Sequence, residues 1–357
     1  MRKAENILIV RPSAIGDIVF ASALIRALRR SYPDSRLSWL VEPANASLLR
    51  QHPDIDEVIV WPKAEWKQLW RQRGYLQLWQ RVSDFRHALA ERQFDLVLDL
   101  QGLLKSGLLA WFTRAQERVG LGSREGSRWL MTRVVERAGD PARIGSEYLY
   151  LAEELGLETG RFEMDIALGS EDAAFVDTLI ADEGLDRGYL VVAPFTTRPQ
   201  KHWFDDRWVA LIDELSAGYQ LPVLILGGPN DREQADALQQ RAAGRVLALA
   251  GGTQLTQAAA LIGRARLLLG VDTGLTHMGI ACSTPTVALF GATCPYTETT
   301  RESARVIYHP FTCSPCRRSP TCDGAFYCMQ SIGVDEVLSV AAALIGREAD
   351  SVQGDAD

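Results

Sequence analysis

Three stretches of this 357-residue chain carry residue types and spacings that can do chemistry. The first is LLLGVDTGLTHMGIACSTPTVALFG, Leu267 to Gly291. Its apolar run, Leu267 to Val271, reads as a buried parallel strand. Asp272-Thr273-Gly274 suits a tight turn and a helix N-cap, and a short helix from Leu275 to Cys282 leads to a second strand, Thr286 to Phe290. The first amides of that helix have no intrahelical partner, so they form a site for phosphate, with Thr273 as an added donor and His277 one turn on. The plainer reading is an ordinary βαβ unit in which Asp272 only caps the helix. The second stretch, CSPCRRSPTCDGAFYC, places Cys313, Cys316, Cys322 and Cys328 within sixteen residues. Four thiolates at this spacing suit tetrahedral zinc or iron; reduced thiols packed in a loop and disulfides are the other readings. The third, Trp61 to Arg81 (WPKAEWKQLWRQRGYLQLWQR), interleaves Lys63, Lys67, Arg71, Arg73 and Arg81 with tryptophans and carries a single acid, Glu65. Such a helix suits an anionic glycolipid or membrane surface, unless its tryptophans simply fill a core. The Asp-x-Asp of HPDID, His52 to Asp56, reads as a turn rather than a metal site.

These residues need elements to hold them, and the chain supplies a repeated strand-then-helix rhythm. Strands are predicted at Asn6 to Val10, Arg36 to Val41, Glu57 to Trp61 and Phe94 to Leu100, and helices at Ile18 to Ser31, Ala46 to Gln51 and Glu65 to Arg92. A lone strand is expected around Met164, and the rhythm restarts near residue 170. There the predicted strands are Tyr189 to Ala193, Pro222 to Leu226 and Val246 to Ala248, alternating with helices. Alternation of this kind implies right-handed parallel α/β sheets, whose ligands bind outside the carboxyl ends of the strands. The loops RPSAIGD, QGLLKSG, TTRPQKHW and GGPNDRE therefore lie on such rims. At 357 residues and 47% apolar composition, two domains each have enough material for a core. A net charge of −7 argues against a nucleic-acid partner. No signal peptide and no 18-residue apolar run is seen, so a soluble, cytoplasmic chain is expected.

Taken in order, the strand before RPSAIGD, then QGLLKSG, TTRPQKHW, GGPNDRE and VDTGLTHMGIA resemble glycosyltransferase family 9, the ADP-heptose:lipopolysaccharide heptosyltransferases. The resemblance runs from about residue 5 to about 340, and VDTG-x-x-H and K-H-W are its most specific pieces. It implies a GT-B fold, an α/β architecture of two Rossmann-like, doubly wound domains facing each other across a cleft. It places an acceptor-binding domain at 1–168 and a nucleotide-sugar donor-binding domain at 169–346; the polar composition from Arg347 on reads as a disordered tail, 347–357. By the same resemblance Asp17 is the general base, standing where a helix dipole favours a carboxylate. Thr196, Thr197 and Lys201 match the diphosphate contacts, Lys201 stabilising a departing ADP without a metal. Asp231 stands where the family places a carboxylate, usually Glu, on the donor sugar or ribose. Asp272, Thr273, Gly274 and His277 match the signature that grips donor phosphates and heptose hydroxyls. Lys105 and Arg124 match basic acceptor positions and join Lys63, Lys67 and Arg71 as acceptor candidates. Ile144-Gly145-Ser146-Glu147 departs from a His-containing run common in the family.

The expectation is an inverting, metal-independent transferase that moves heptose from ADP-heptose to the lipopolysaccharide inner core. No cofactor is needed for catalysis, and structural zinc or iron at the Cys set is the one metal considered. Contact with the inner face of the inner membrane would be peripheral. The alternatives are a GT-B nucleotide-sugar epimerase, which needs no basic lipid-facing helix, and a non-catalytic nucleotide-sugar-binding subunit, which needs no Asp17. Which heptose addition is made, and the oligomeric state, are not readable from the residues.

Overall fold

The computed structural model describes residues 4–316 and 319–354. Two compact units emerge, Met1–Asp140 with Gly145–Ala167, and Pro141–Ile144 with Leu168–Asp357. The first contains β1 (Asn6–Val10), α1 (Ile15–Ala21), α2 (Ala23–Ser31), β2 (Arg36–Val41), α3 (Ser47–Arg50), β3 (Glu57–Val60), α4 (Lys63–Arg71), α5 (Tyr75–Glu91), β4 (Leu96–Asp99), α6 (Leu104–Phe112), β5 (Glu117–Leu121), β6 (Arg133–Val135) and α7 (Ser146–Glu154). The second contains α8 (Ser170–Asp182), β7 (Leu190–Ala193), α9 (Asp205–Tyr219), β8 (Val223–Ile225), α10 (Arg232–Arg241), β9 (Val246–Ala248), α11 (Leu255–Gly263), β10 (Leu267–Val271), α12 (Gly274–Ala281), β11 (Thr286–Phe290), β12 (Ala304–Tyr308), α13 (Tyr327–Gln330) and α14 (Val334–Gly354).

Each unit is built on one six-stranded sheet, and every pairing in it is parallel. The orders are β3-β2-β1-β4-β5-β6 and β12-β11-β10-β7-β8-β9. Counted from each unit's own first strand, both are the doubly wound order 3-2-1-4-5-6. Such a sheet has a switch point where the winding reverses, between β1 and β4 in one unit and between β7 and β10 in the other, and ligands gather at the carboxyl ends there. The strands are buried on both faces, which is why they read as unbroken apolar runs. In the second unit, one face packs on Trp203, Trp208, Leu211 and Leu215, the other on Val176, Leu261 and Ile262.

Three expectations are corrected. The helix predicted from Ile18 to Ser31 starts earlier and is two helices, parted at Ser22. The Ser22 hydroxyl donates to the Val19 carbonyl and accepts the Asp165 amide, drawing the backbone away from a continuous ladder. The long helix from Glu65 to Arg92 is also two, broken where Arg73 takes φ +58° before Gly74. No strand forms at Met164; that segment is held by side chains instead, Asp165 pairing with Arg26 (2.5 Å) and with the buried His52 (3.3 Å). In HPDID, Asp54 and Asp56 both face Arg29, a turn fastened by ion pairs. α14 runs on to Gly354, through residues expected to be a disordered tail, and residues 355–357 lie outside those described.

Candidate active site

Both switch points carry a carboxylate. In the first unit, β1 ends at Val10 and Arg11 follows, its side chain only 5% exposed. Asp17 sits in the first turn of α1 with 40% of its side chain exposed. Its Oδ2 accepts the Ala14 amide (3.1 Å) and lies 2.7 Å from Arg11 Nη2. Asp17 therefore closes the turn at the start of α1 and is an ion-pair partner as well. Across the switch point, Asp99 ends β4 wholly buried. It accepts the Gln101 and Gly102 amides and the Ser106 hydroxyl, shaping the turn into α6. Burial pushes its carboxyl up to about 6, against the pull of Ser106 and those amides.

The remaining acceptor candidates are in the same unit: Lys63, Lys67 and Arg71 on α4, Lys105 in the first turn of α6, and Arg124 on the loop after β5. Gly102 has φ +69°, and a Cβ there would meet the Leu121 carbonyl at 2.5 Å, so only glycine lets this turn lie against the loop after β5. The Arg124 amide donates to the Gly102 carbonyl (2.8 Å), joining the loop of the exposed Arg124 to the turn before α6, whose first turn carries the half-buried Lys105. Lys63 is engaged, 2.6 Å from Glu42 and over the Trp61 ring. Lys67 and Arg71 are exposed on α4. The tryptophans of this stretch divide: Trp66 packs edge-on to Trp61 and Phe85 in the core, whereas Trp70 and Trp79 are 63% and 73% exposed.

In the second unit the K-H-W loop is fastened from within. Trp203 is buried edge-on to Trp208 and donates to the Ile332 carbonyl, while His202 Nε2 lies 2.7 Å from the Thr196 carbonyl. The loop is thereby bent so that Lys201 reaches Asp272 at the end of β10, Nζ to Oδ2 2.6 Å. Asp272 Oδ2 also accepts the Thr293 hydroxyl, and Oδ1 lies 3.3 Å from His277 Nε2. A carboxylate only accepts, so Nε2 carries hydrogen, and Nδ1 of a neutral ring then accepts from the buried Tyr296 hydroxyl at 2.8 Å. Burial alone would raise the Asp272 carboxyl, yet the His277 hydrogen bond and the Lys201 charge hold it well below the usual carboxylate range.

Asp272 is thus the hub of a buried network and not the helix cap; Thr273 takes the N-cap position with no side-chain capping bond. Gly274 opens α12, whose first amides have no intrahelical partner. His277 spends both ring nitrogens inside the protein, so it braces this site and does not reach out of it. Thr196 is half-buried and Thr197 exposed on the same loop as Lys201. Asp231 accepts the Gly228 amide at 2.7 Å, which commits one oxygen to its own turn. Thr293 and Tyr296 were missed in the sequence, although their loop follows β11 and the strand-end rule alone makes it a candidate. Cys294 lies there too, its thiol pushed up to about 11 by burial and the Asp272 charge.

The four cysteines of the second candidate stretch carry free thiols. Burial raises the Cys316 and Cys328 thiols, and neighbouring thiols of the set add to this. Among the described residues, no three His, Cys, Asp or Glu side chains are gathered closely enough to hold a metal ion. Also among them, no helix is long and apolar enough to cross a membrane.

Two parallel doubly wound units with charged strand ends make this a GT-B glycosyltransferase scaffold. The sequence model of glycosyltransferase family 9 (heptosyltransferase) matches residues 82–325, and the chain belongs to that family. It is 30% identical to lipopolysaccharide heptosyltransferase 1 of Pseudomonas aeruginosa over 89% of this chain and 87% of the relative. It is 26% identical to the lipopolysaccharide core heptosyltransferase OpsX of Haemophilus influenzae over 80% and 79%. Among solved structures it shares the fold of a family 9 glycosyltransferase from Veillonella parvula, with a TM-score of 0.80 at 21% identity, covering 96% and 97% of the two chains.

Proposed function

We propose that this chain transfers heptose from ADP-heptose to the inner core of lipopolysaccharide, with inversion and without a catalytic metal. The observation that carries the reading is the Lys201–Asp272 pair at the second unit's switch point, backed by the open end of α12. A diphosphate arriving there finds a lysine, the Thr196 and Thr197 loop and unpaired helix amides, a set that neutralises a departing ADP. Asp272 holds Lys201 in place until the donor arrives, His277, Thr293 and Tyr296 hold Asp272, and Thr273 and Gly274 line the phosphate end of the helix. Asp231 serves the donor through its uncommitted oxygen. On the other unit, Asp17 takes the proton of the acceptor hydroxyl as its oxygen attacks the anomeric carbon and the bond to ADP breaks. Lys63, Lys67, Arg71, Lys105 and Arg124 meet acceptor phosphates and carboxylates. Donor consumption only in the presence of inner-core acceptor, unaffected by EDTA, is the expected assay result. Consumption without acceptor would favour an epimerase, and binding without turnover a non-catalytic subunit.

We infer that the protein works at the cytoplasmic face of the inner membrane, in peripheral contact. Of the eleven large apolar side chains exposed among the described residues, eight lie between Trp70 and Trp129, on α4, α5, α6 and the turn after β5. Basic Lys67, Arg71, Arg81 and Arg86 share those helices and Arg73 stands at the break between α4 and α5, which suits an anionic bilayer. The paired change Leu76→Glu and Trp79→Glu is expected to lower binding to phosphatidylglycerol vesicles at least tenfold, with turnover on a deacylated acceptor unchanged. Equal vesicle binding by parent and variant would remove this part of the proposal. The Cys313–Cys328 set is assigned to a structural zinc or iron whose arrival would draw the sulfurs together. Purified protein with about one such ion per chain supports this, and metal-free protein with four reactive thiols at unchanged melting temperature overturns it.

A further inference from the structure

Arg11 is unlike the other cations of the first unit. It is 4% exposed, sits at the first position after β1, and reaches two elements at once. Nη1 donates to the Leu100 carbonyl at 2.6 Å, just past β4, and Nη2 holds Asp17 Oδ2 at 2.7 Å. Its own backbone is pinned, its amide donating to the Leu40 carbonyl and its carbonyl accepting from Trp39 Nε1. Arg137 Nη2 donates to the same Leu100 carbonyl at 3.1 Å, so that acceptor is braced from two sides. The guanidinium therefore cannot wander: backbone, β4 end and carboxylate fix its plane.

This has a consequence for Asp17. Oδ2 is taken twice, by Arg11 and by the Ala14 amide, which leaves Oδ1 uncommitted among the described residues. A carboxylate on a half-exposed side chain would otherwise sample several rotamers and offer either oxygen. We propose that Arg11 is a positioning residue for the transfer reaction: it seizes one oxygen of Asp17 so that Oδ1 alone is presented to the acceptor hydroxyl. The proton passes from that hydroxyl to Oδ1 while the acceptor oxygen bonds to the anomeric carbon, and the electron pair of the broken bond leaves with ADP. Oδ2 stays on the guanidinium throughout, so the product acid is held as firmly as the reactant carboxylate. Pre-orientation of this kind matters because a misplacement of about 1 Å at a catalytic group can cost a hundredfold in rate.

The inference rests on Asp17 being the base, and the experiment keeps the two apart. Arg11→Gln and Arg11→Lys are made in the parent and in an Asp17→Asn background, with kcat and both KM values measured and melting temperature as the folding control. In the parent, Arg11→Gln is expected to lower kcat by about 10- to 100-fold with donor KM unchanged, and Arg11→Lys, which keeps the buried cation, to recover part of that. In the Asp17→Asn background neither change should lower kcat further, because no base remains to orient. If Asp17→Asn turns over like the parent, the base assignment fails. If Asp17→Asn is crippled while both Arg11 variants are normal, or Arg11→Gln costs the same factor in both backgrounds, the positioning role fails and Arg11 is a structural cation.

Discussion

The two switch points solve the same problem, holding a carboxylate at the end of a parallel strand, in opposite ways. In the first unit Asp17 is 40% exposed and held through one oxygen by Arg11 and a backbone amide. In the second, Asp272 is 12% exposed and spends both oxygens on Lys201, Thr293 and His277. A group that must meet a substrate proton keeps an oxygen outward; a group that must keep a lysine poised for anions is locked on every side. The first arrangement makes chemistry sensitive and stability indifferent, whereas the second couples ligand affinity to stability.

The largest expected effect breaks the first unit's side of this contrast. Asp17→Asn should lower kcat by about two to four decades, the usual worth of a general base. Asn still accepts from Arg11, so ADP affinity and melting temperature should stay at parent values. A variant that loses stability in step with activity would erase the distinction. Lys201→Ala tests the other side. Loss of a charged partner should weaken ADP binding by about 10- to 150-fold, from about 1.5–3 kcal/mol for a charge-assisted hydrogen bond. It also strands a buried carboxylate, so melting temperature should fall by several degrees in the same variant. Calorimetric titration with ADP, in EDTA, and a thermal scan read the two effects; a drop in one alone would uncouple them.

The smallest effect sharpens the contrast within the first unit. The folded value of Asp99, about 6, lies above the ordinary value of about 3.9, so between these pH values the folded chain binds the extra proton. Stability therefore declines as pH rises from about 4 through about 6 and levels off above. Asp99→Asn keeps the geometry, Oδ1 accepting the Gln101 and Gly102 amides and Nδ2 donating to Ser106. The variant's stability should be flatter over pH 4 to 8 and gain, relative to the parent, on the order of 3 kcal/mol well above pH 6. An unchanged pH profile would mean that Asp99 is not the group responsible. Asp272 has the reverse sign, its stability being present above about 4 and lost only in strong acid.

The central strands were legible because burial on both faces writes an unbroken apolar run; Asn6–Val10, Leu267–Val271 and Thr286–Phe290 were read to the residue. Edge strands such as Arg133–Val135, three residues long and only partly buried, carry no such run. Helix breaks were hidden for another reason. Ser22 acts through Asp165, 143 residues away in sequence, and no local pattern records that. The same holds in the site: VDTG-x-x-H announced Asp272 and His277, but their partners Thr293 and Tyr296 come from the loop after β11, and nothing in the spacing of RPSAIGD ties Arg11 to Asp17. Spacing shows which residues share an element, while pairing across elements is settled only when the sheet closes.

The segment Pro141–Ile144 belongs with the second unit although the chain on either side of it builds the first. Its Ala142 carbonyl accepts the Thr297 and Glu298 amides, and the Ile144 amide donates to the Glu298 carbonyl. During synthesis these four residues leave the ribosome about 150 residues before the backbone that completes them. At the usual 5–20 residues per second that is a wait of roughly 8 to 30 seconds. For that interval the nascent first half carries an unsatisfied backbone stretch, and a gene split at residue 168 would leave it so permanently. A C-terminal piece made alone would need those residues supplied in trans, so split-chain complementation should succeed only when the N-terminal partner reaches past Ile144.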